Sequence, residues 1–89
     1  MRLLALREDM GRQVREALPR ARIAVEITDD RIAYPLLTVT DAHRRYGHTN
    51  QANRNAISAL VDLGILEPYG EATYDRLYWN RRVFQMVDG

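Results

Sequence analysis

Five polar side chains lie close together in the middle of the chain: Asn50, Gln51, Arg54, Asn55 and Ser58. Amides can form paired hydrogen bonds to adenine, and arginine can do the same to guanine. The alternative interpretation is an ordinary solvated helix face, although asparagine is a poor helix former and repeated use of it brings no structural gain. The chemistry of these side chains predicts contact with the bases or the backbone of duplex DNA.

A helix-turn-helix is the element that would position these side chains. Thr38 or Thr40 can cap a first helix, and Gly47 allows the left-handed conformation that ends it. Thr49 can cap a second helix that runs to Leu63, and we add Thr49 to the predicted DNA contacts. The second helix of such a unit normally enters the DNA major groove. The segment therefore predicts a DNA-recognition helix.

A short β-hairpin and a last helix are predicted to follow. Residues 65–67 begin a strand, residues 68–70 form a turn, and residues 74–79 return as the second strand. Asn80 can cap a final helix over residues 81–87. A hairpin directly behind a helix-turn-helix is typical of a winged helix, in which the hairpin is the wing.

Two helices are predicted before the helix-turn-helix. Apolar residues recur at helical spacing over residues 2–18, and this stripe must bury against the rest of the chain or against a copy of it. Residues 21–34 fit a strand or a helix, and we favour a helix because a strand here would need a distant partner. The sequence thus predicts a mainly α fold with a small β-hairpin. A winged helix-turn-helix at 35–89 is preceded by a helical extension at 1–34.

Three arginines outside the second helix are further candidates for DNA contact: Arg44, Arg45 and Arg76. The first helix of a helix-turn-helix crosses the phosphate backbone, so Arg44 and Arg45 can bind phosphate or remain solvated surface charges. Arg76 lies in the predicted hairpin, where it can contact a phosphate or pair with its acidic neighbours. Both interpretations stay open for all three residues.

Composition and spacing argue against a metal site and against catalysis. The chain has 89 residues, a net charge of +1 and no cysteine. His43 and His48 have no cysteine or carboxylate at metal-ligand spacing, and Ser58 has no histidine within helical reach. We therefore predict no metal, no cofactor and no enzymatic activity. No apolar run approaches the length of a membrane span, and we expect a cytoplasmic protein that contacts no membrane.

From Pro35 onward the chain resembles the C-terminal winged-helix domain of Fic-family proteins (filamentation induced by cAMP). The matching residues are Pro35-Leu36-Leu37-Thr38-Val39, Gly47, Ala52-Asn53-Arg54, Ala56-Ile57, Leu60-Val61-Asp62-Leu63-Gly64-Ile65-Leu66 and Arg76-Leu77-Tyr78. In that family the domain follows a catalytic domain that transfers AMP from ATP to a hydroxyl group, using His-Pro-Phe and Gly-Asn-Gly-Arg motifs. Neither motif occurs here. The resemblance therefore implies an accessory domain without its enzyme.

Two functions remain open at this point. The first is a DNA-binding domain that serves transcription regulation in a Fic-family protein. The second is an interaction module, in which the apolar stripe from Leu3 to Leu18 or the face of the winged helix packs on the Fic catalytic domain or on a sister chain as a homodimer. The absence of acidic residues between Asp41 and Asp62 favours DNA. The low net charge and the uncharged or acidic wing at 70–73 favour the interaction module.

Overall fold

The computed structural model describes residues 2–19, 21–31, 34–71 and 75–88, which form five helices and three short strands. In chain order these are α1 (Arg2–Ala17), α2 (Arg22–Asp29), β1 (Leu36–Leu37), α3 (Val39–Tyr46), α4 (Asn50–Asp62), β2 (Glu67–Tyr69), β3 (Leu77–Trp79) and α5 (Arg81–Asp88). The predicted fold class, mainly α with a small antiparallel sheet, is confirmed. No helix in this described part of the chain is long and apolar enough to cross a membrane.

Helices α1 and α2 supply the N-terminal half of the hydrophobic core. Leu6, Met10 and Val14 repeat at helical spacing along α1 and are buried. Helix α2 buries Ala24 and Ile27 on one face. Since this segment is helical, the preference for a helix over a strand is confirmed. α1 packs on α2 and α5, and α2 packs on α4, so the centre of the α1 stripe is buried within its own chain.

The two helices of the helix-turn-helix begin and end at capping residues that the sequence predicts. The Thr38 hydroxyl accepts from the Asp41 backbone N–H at 3.0 Å, and the Asp41 carboxylate accepts from the Thr38 N–H at 3.3 Å. This reciprocal capping box makes Thr38, not Thr40, the cap of α3. Gly47 ends α3 with a φ of 71°, in the left-handed region. The Thr49 hydroxyl accepts from the Ala52 N–H at 3.1 Å and caps α4.

Replacing Thr38 with alanine is expected to lower the free energy of unfolding by about 1 kcal/mol, because it leaves a first-turn N–H of α3 without its acceptor. Thr38→Ser keeps the hydroxyl and should stay close to the wild type. Urea denaturation followed by circular dichroism measures both variants. Equal stability of the alanine and serine variants would contradict the capping role.

The sheet has three strands rather than the two of the predicted hairpin. Strand β3 lies in the centre and pairs antiparallel with β1 and with β2. In this register Leu36 and Glu67 flank Trp79 from opposite sides. β1 has only two residues, which is too short for any alternation of apolar and polar residues to reveal it.

The boundaries of strand β2 correct the predicted hairpin. We expected a strand at 65–67 and a turn at 68–70. Instead the N–H groups of Ile65 and Leu66 donate to the Leu60 carbonyl at 2.9 and 3.2 Å, so both residues stay tied to the end of α4. The ladder therefore begins later, at Glu67, and continues through Tyr69. Residues 72–74, which include the expected tip of the wing, lie outside the described residues.

Asn80 fixes the last helix to the first. Its Oδ1 accepts from the Val83 N–H at 3.0 Å, which confirms the predicted cap of α5. Its Nδ2 lies 3.0 Å from the sulfur of Met10 on α1. All three residues, Asn80, Val83 and Met10, are buried. Asn80 therefore caps α5 and also links it to α1.

Candidate nucleic-acid interface

A groove of about 390 Å³ runs between α3, α4 and strand β3, and we name it the wing groove. Its lining comprises Val39, Thr40, Asn50, Arg54, Asp75, Arg76 and Tyr78. Three of these residues, Asn50, Arg54 and Arg76, are among the predicted DNA contacts. They come from two separate elements, because Arg76 precedes β3 whereas the other two are on α4.

Asn50 and Arg54 lie one helical turn apart on α4, and both side chains are exposed. Within the described part of the chain, Arg54 forms no ion pair with a carboxylate. Arg76 is half-buried beside them in the groove lining. The helix-turn-helix and the wing therefore present an amide and two guanidinium groups to one concave surface.

Gln51, Asn55 and Ser58 lie outside the lining of the wing groove but remain on the exposed surface of α4. Gln51 Nε2 donates to Asn55 Oδ1 at 2.9 Å, so one donor of Gln51 and one acceptor site of Asn55 are already in use. Asn55 also borders a second, mainly apolar groove beside α2, which contains Ile23 and Ala24. Each amide keeps a free N–H and a free oxygen lone pair for contact with a base.

The two arginines of α3 are exposed and lie outside the wing groove. Arg44 stands 3.9 Å from Asp41, and its side chain is 75% exposed, which leaves it largely solvated. The guanidinium of Arg45 stacks over the ring of Tyr34, 3.8 Å from the ring centroid. Thr49 is exposed at the start of α4, where its hydroxyl serves as the helix cap. In this structure, therefore, Arg45 stacks on an aromatic ring and Thr49 caps a helix.

Thr40 and Asp75 are groove residues that sequence reasoning missed. Asp75 Oδ1 accepts from the Thr40 N–H at 3.3 Å and from the Thr40 hydroxyl at 2.9 Å. This contact ties the wing to the first turn of α3. In the sequence, Asp75 was interpretable only as a partner for its neighbour Arg76, and the two linked residues are 35 positions apart. No local pattern marks such a contact.

Asn53 holds the turn that sets α4 against α3. Its side chain is fully buried, and its Nδ2 donates to the carbonyls of His48 at 3.2 Å and Thr49 at 3.0 Å. Asn53 therefore bonds the turn that precedes α4. His43 Nδ1 donates to the same His48 carbonyl at 2.6 Å. Among the described residues, no group of three metal-binding side chains is present.

A buried guanidinium joins α2 to the helix-turn-helix. The Arg31 Nε donates to the Ile27 carbonyl at 2.7 Å, and its two terminal nitrogens reach the Leu36 carbonyl at 3.4 Å and the Tyr46 hydroxyl at 3.1 Å. Tyr46 in turn donates to Asp30 Oδ2 at 2.6 Å. Burial, aided by this bond to Asp30, raises the pKa of Tyr46 to about 12, while burial lowers the pKa of Arg31.

The fold and the groove define a winged helix-turn-helix domain with two helices in front of it. Comparison of the chain with protein-family models, with curated proteins and with solved structures finds no match.

Proposed function

We propose that the domain binds duplex DNA, with α4 in the major groove and the wing groove against the adjacent backbone. The observation that supports this most strongly is the convergence of Asn50, Arg54 and Arg76 on one surface from separate parts of the chain. Amides and guanidinium groups are the side chains that read base edges and bind phosphates. Arg44 lies exposed on α3 and serves as an additional phosphate contact in this arrangement.

We further propose that the domain is the regulatory part of a Fic-type protein and acts in the cytoplasm. This proposal is supported by the motif residues from Pro35 onward that resemble the Fic-family winged helix. The AMP-transferase motifs of that family are not in this sequence, so the proposed contribution is binding and not chemistry.

Arg54→Ala is expected to weaken binding to a random duplex about tenfold and to flatten the dependence on salt by about one unit of slope. The physical reason is the loss of one cation from the groove. Fluorescence anisotropy of a labelled duplex over a salt series measures both quantities. Arg12→Ala is the matched control, since Arg12 is an exposed arginine on α1 outside the groove and gives the same charge change.

The absence of wild-type binding at ~50 mM salt would refute the DNA proposal, because electrostatic attraction supplies most of the non-specific affinity there. An equal loss of affinity for Arg12→Ala and Arg54→Ala would mean that only the net charge matters and that Arg54 makes no specific contact with DNA. Both outcomes require folded variants, which thermal melting followed by circular dichroism establishes.

A protein-interaction role is the second candidate, and the outer face of the sheet favours it. Leu36 and Tyr69 are 42% and 50% exposed, and Tyr69 stacks edge-on against Trp79 with ring centroids 5.1 Å apart. The strand register places Leu36 beside the same tryptophan. A sister chain or a Fic catalytic domain is the proposed partner. Light scattering at high protein concentration tests the homodimer, which a strictly monomeric solution would rule out.

A further inference from the structure

The wing groove contains an acidic side chain, Asp75, among the residues that are proposed to face DNA. Asp75 lines the same surface as Arg54 and Arg76. Two hydrogen bonds from Thr40, at 3.3 and 2.9 Å, hold its Oδ1 in place. Asp75 is exposed, and these two bonds hold its carboxylate in the groove.

The backbone at Asp75 supports the same conclusion. Its φ is 46°, in the left-handed region, and no other non-glycine residue of the described part of the chain has a positive φ. Aspartate and asparagine tolerate this conformation better than other non-glycine residues. In this conformation the carboxylate contacts Thr40 in the first turn of α3. Asparagine fits the same backbone and can keep an oxygen acceptor for Thr40. The substitution Asp75→Asn therefore removes the charge with little change in the backbone or in the bonds from Thr40.

The position of this charge has a direct electrostatic consequence. Duplex DNA carries about one negative charge per 1.7 Å of its axis, so a backbone lying in the groove places phosphates near the carboxylate. Like charges at short range repel, and Asp75 also offsets part of the attraction from Arg54 and Arg76. DNA cannot push the carboxylate aside without breaking both bonds from Thr40.

We propose that Asp75 restrains nucleic-acid binding at the wing groove by acting as a built-in anion opposite the phosphate backbone. This inference rests on the proposed DNA-binding function and assigns to Asp75 the control of its affinity.

The test compares Asp75→Asn with the wild type in binding a labelled random duplex over a salt series. Asp75→Asn is expected to bind about three- to tenfold more tightly at ~50 mM salt, with a salt slope steeper by about one unit. The matched control is Glu71→Gln. Glu71 is exposed in the same hairpin but does not line the groove, and its substitution changes the net charge equally. Glu71→Gln should change the affinity by less than about twofold.

Each outcome separates the inference from the function on which it rests. If the wild type binds and Arg54→Ala weakens it, but Asp75→Asn has unchanged or lower affinity, the inference is wrong and the DNA proposal stands. Equal gains for Asp75→Asn and Glu71→Gln would reduce the effect to net charge and overturn the inference. If the wild type binds at ~50 mM salt but has lost the duplex at a higher salt concentration where Asp75→Asn still binds, while Glu71→Gln behaves like the wild type, the restraint is supported. Failure of every variant to bind would overturn both proposals.

Discussion

Replacing Arg31 with alanine is expected to lower the free energy of unfolding by about 3 kcal/mol, a large part of the stability of a domain this small. Arg31 is fully buried, and its guanidinium donates to two backbone carbonyls and to the Tyr46 hydroxyl. Alanine removes all three donors and leaves a void. Hydrogen bonds from a charged donor are worth more than neutral ones, and buried acceptors left unpaired are costly.

The carbonyls that Arg31 contacts belong to Ile27 in α2 and Leu36 in β1, and Tyr46 belongs to α3. Loss of Arg31 should therefore loosen the N-terminal helices from the winged helix, beyond the local cost of the cavity. Urea denaturation measures the change in free energy, and hydrogen exchange of α2 measures the loosening. Arg22→Ala is the matched control, since Arg22 is an exposed arginine on α2 and its loss should cost less than about 0.5 kcal/mol. Similar losses for the two variants would contradict the structural role of Arg31.

Arg31 also illustrates what the sequence leaves hidden. Helix positions, caps and the turn glycine follow from local rules, and Thr49, Gly47 and Asn80 occupy the roles that those rules assign. The burial of an arginine follows from no local rule, because a single Arg after a helix is most often a surface charge. Arg31 is buried only because three separate elements pack around it.

The candidate site, too, could be predicted only in part from the sequence. The side chains on α4 could be predicted because helical periodicity separates the buried Asn53 from the exposed Asn50 and Arg54. Assembly of the groove could not be predicted, since it depends on how the hairpin returns to α3. The contact between Thr40 and Asp75 arises from that return. It places the carboxylate of Asp75 against α3, whereas the sequence indicated only a pairing with the neighbouring Arg76.

Asn53→Asp is expected to lower the free energy of unfolding by about 3 kcal/mol at neutral pH, although it changes only one nitrogen to oxygen. The amide Nδ2 donates to the carbonyls of His48 and Thr49. Asn53 Oδ1 is buried and has no hydrogen-bond donor. A carboxylate at this position would face two carbonyl oxygens, with no donor and no solvent to stabilise its charge. Burial therefore raises the pKa of the introduced carboxyl group above its usual value of about 3.9.

The sign of the pH dependence follows from that raised pKa. Below about pH 4 the carboxyl group is protonated in both the folded and the unfolded states, and its O–H can replace one of the two lost bonds. As the pH rises above 4, the unfolded state ionises first, so the stability of Asn53→Asp relative to the wild type should fall steadily toward neutral pH. Urea denaturation at several pH values measures this difference. Asn53→Ala is the control, with a loss of about 2 kcal/mol and no such trend, because it removes the donor without adding a charge. A pH-independent difference for Asn53→Asp would mean that the introduced carboxyl group has the same pKa in the folded and unfolded states, and hence that solvent reaches this turn.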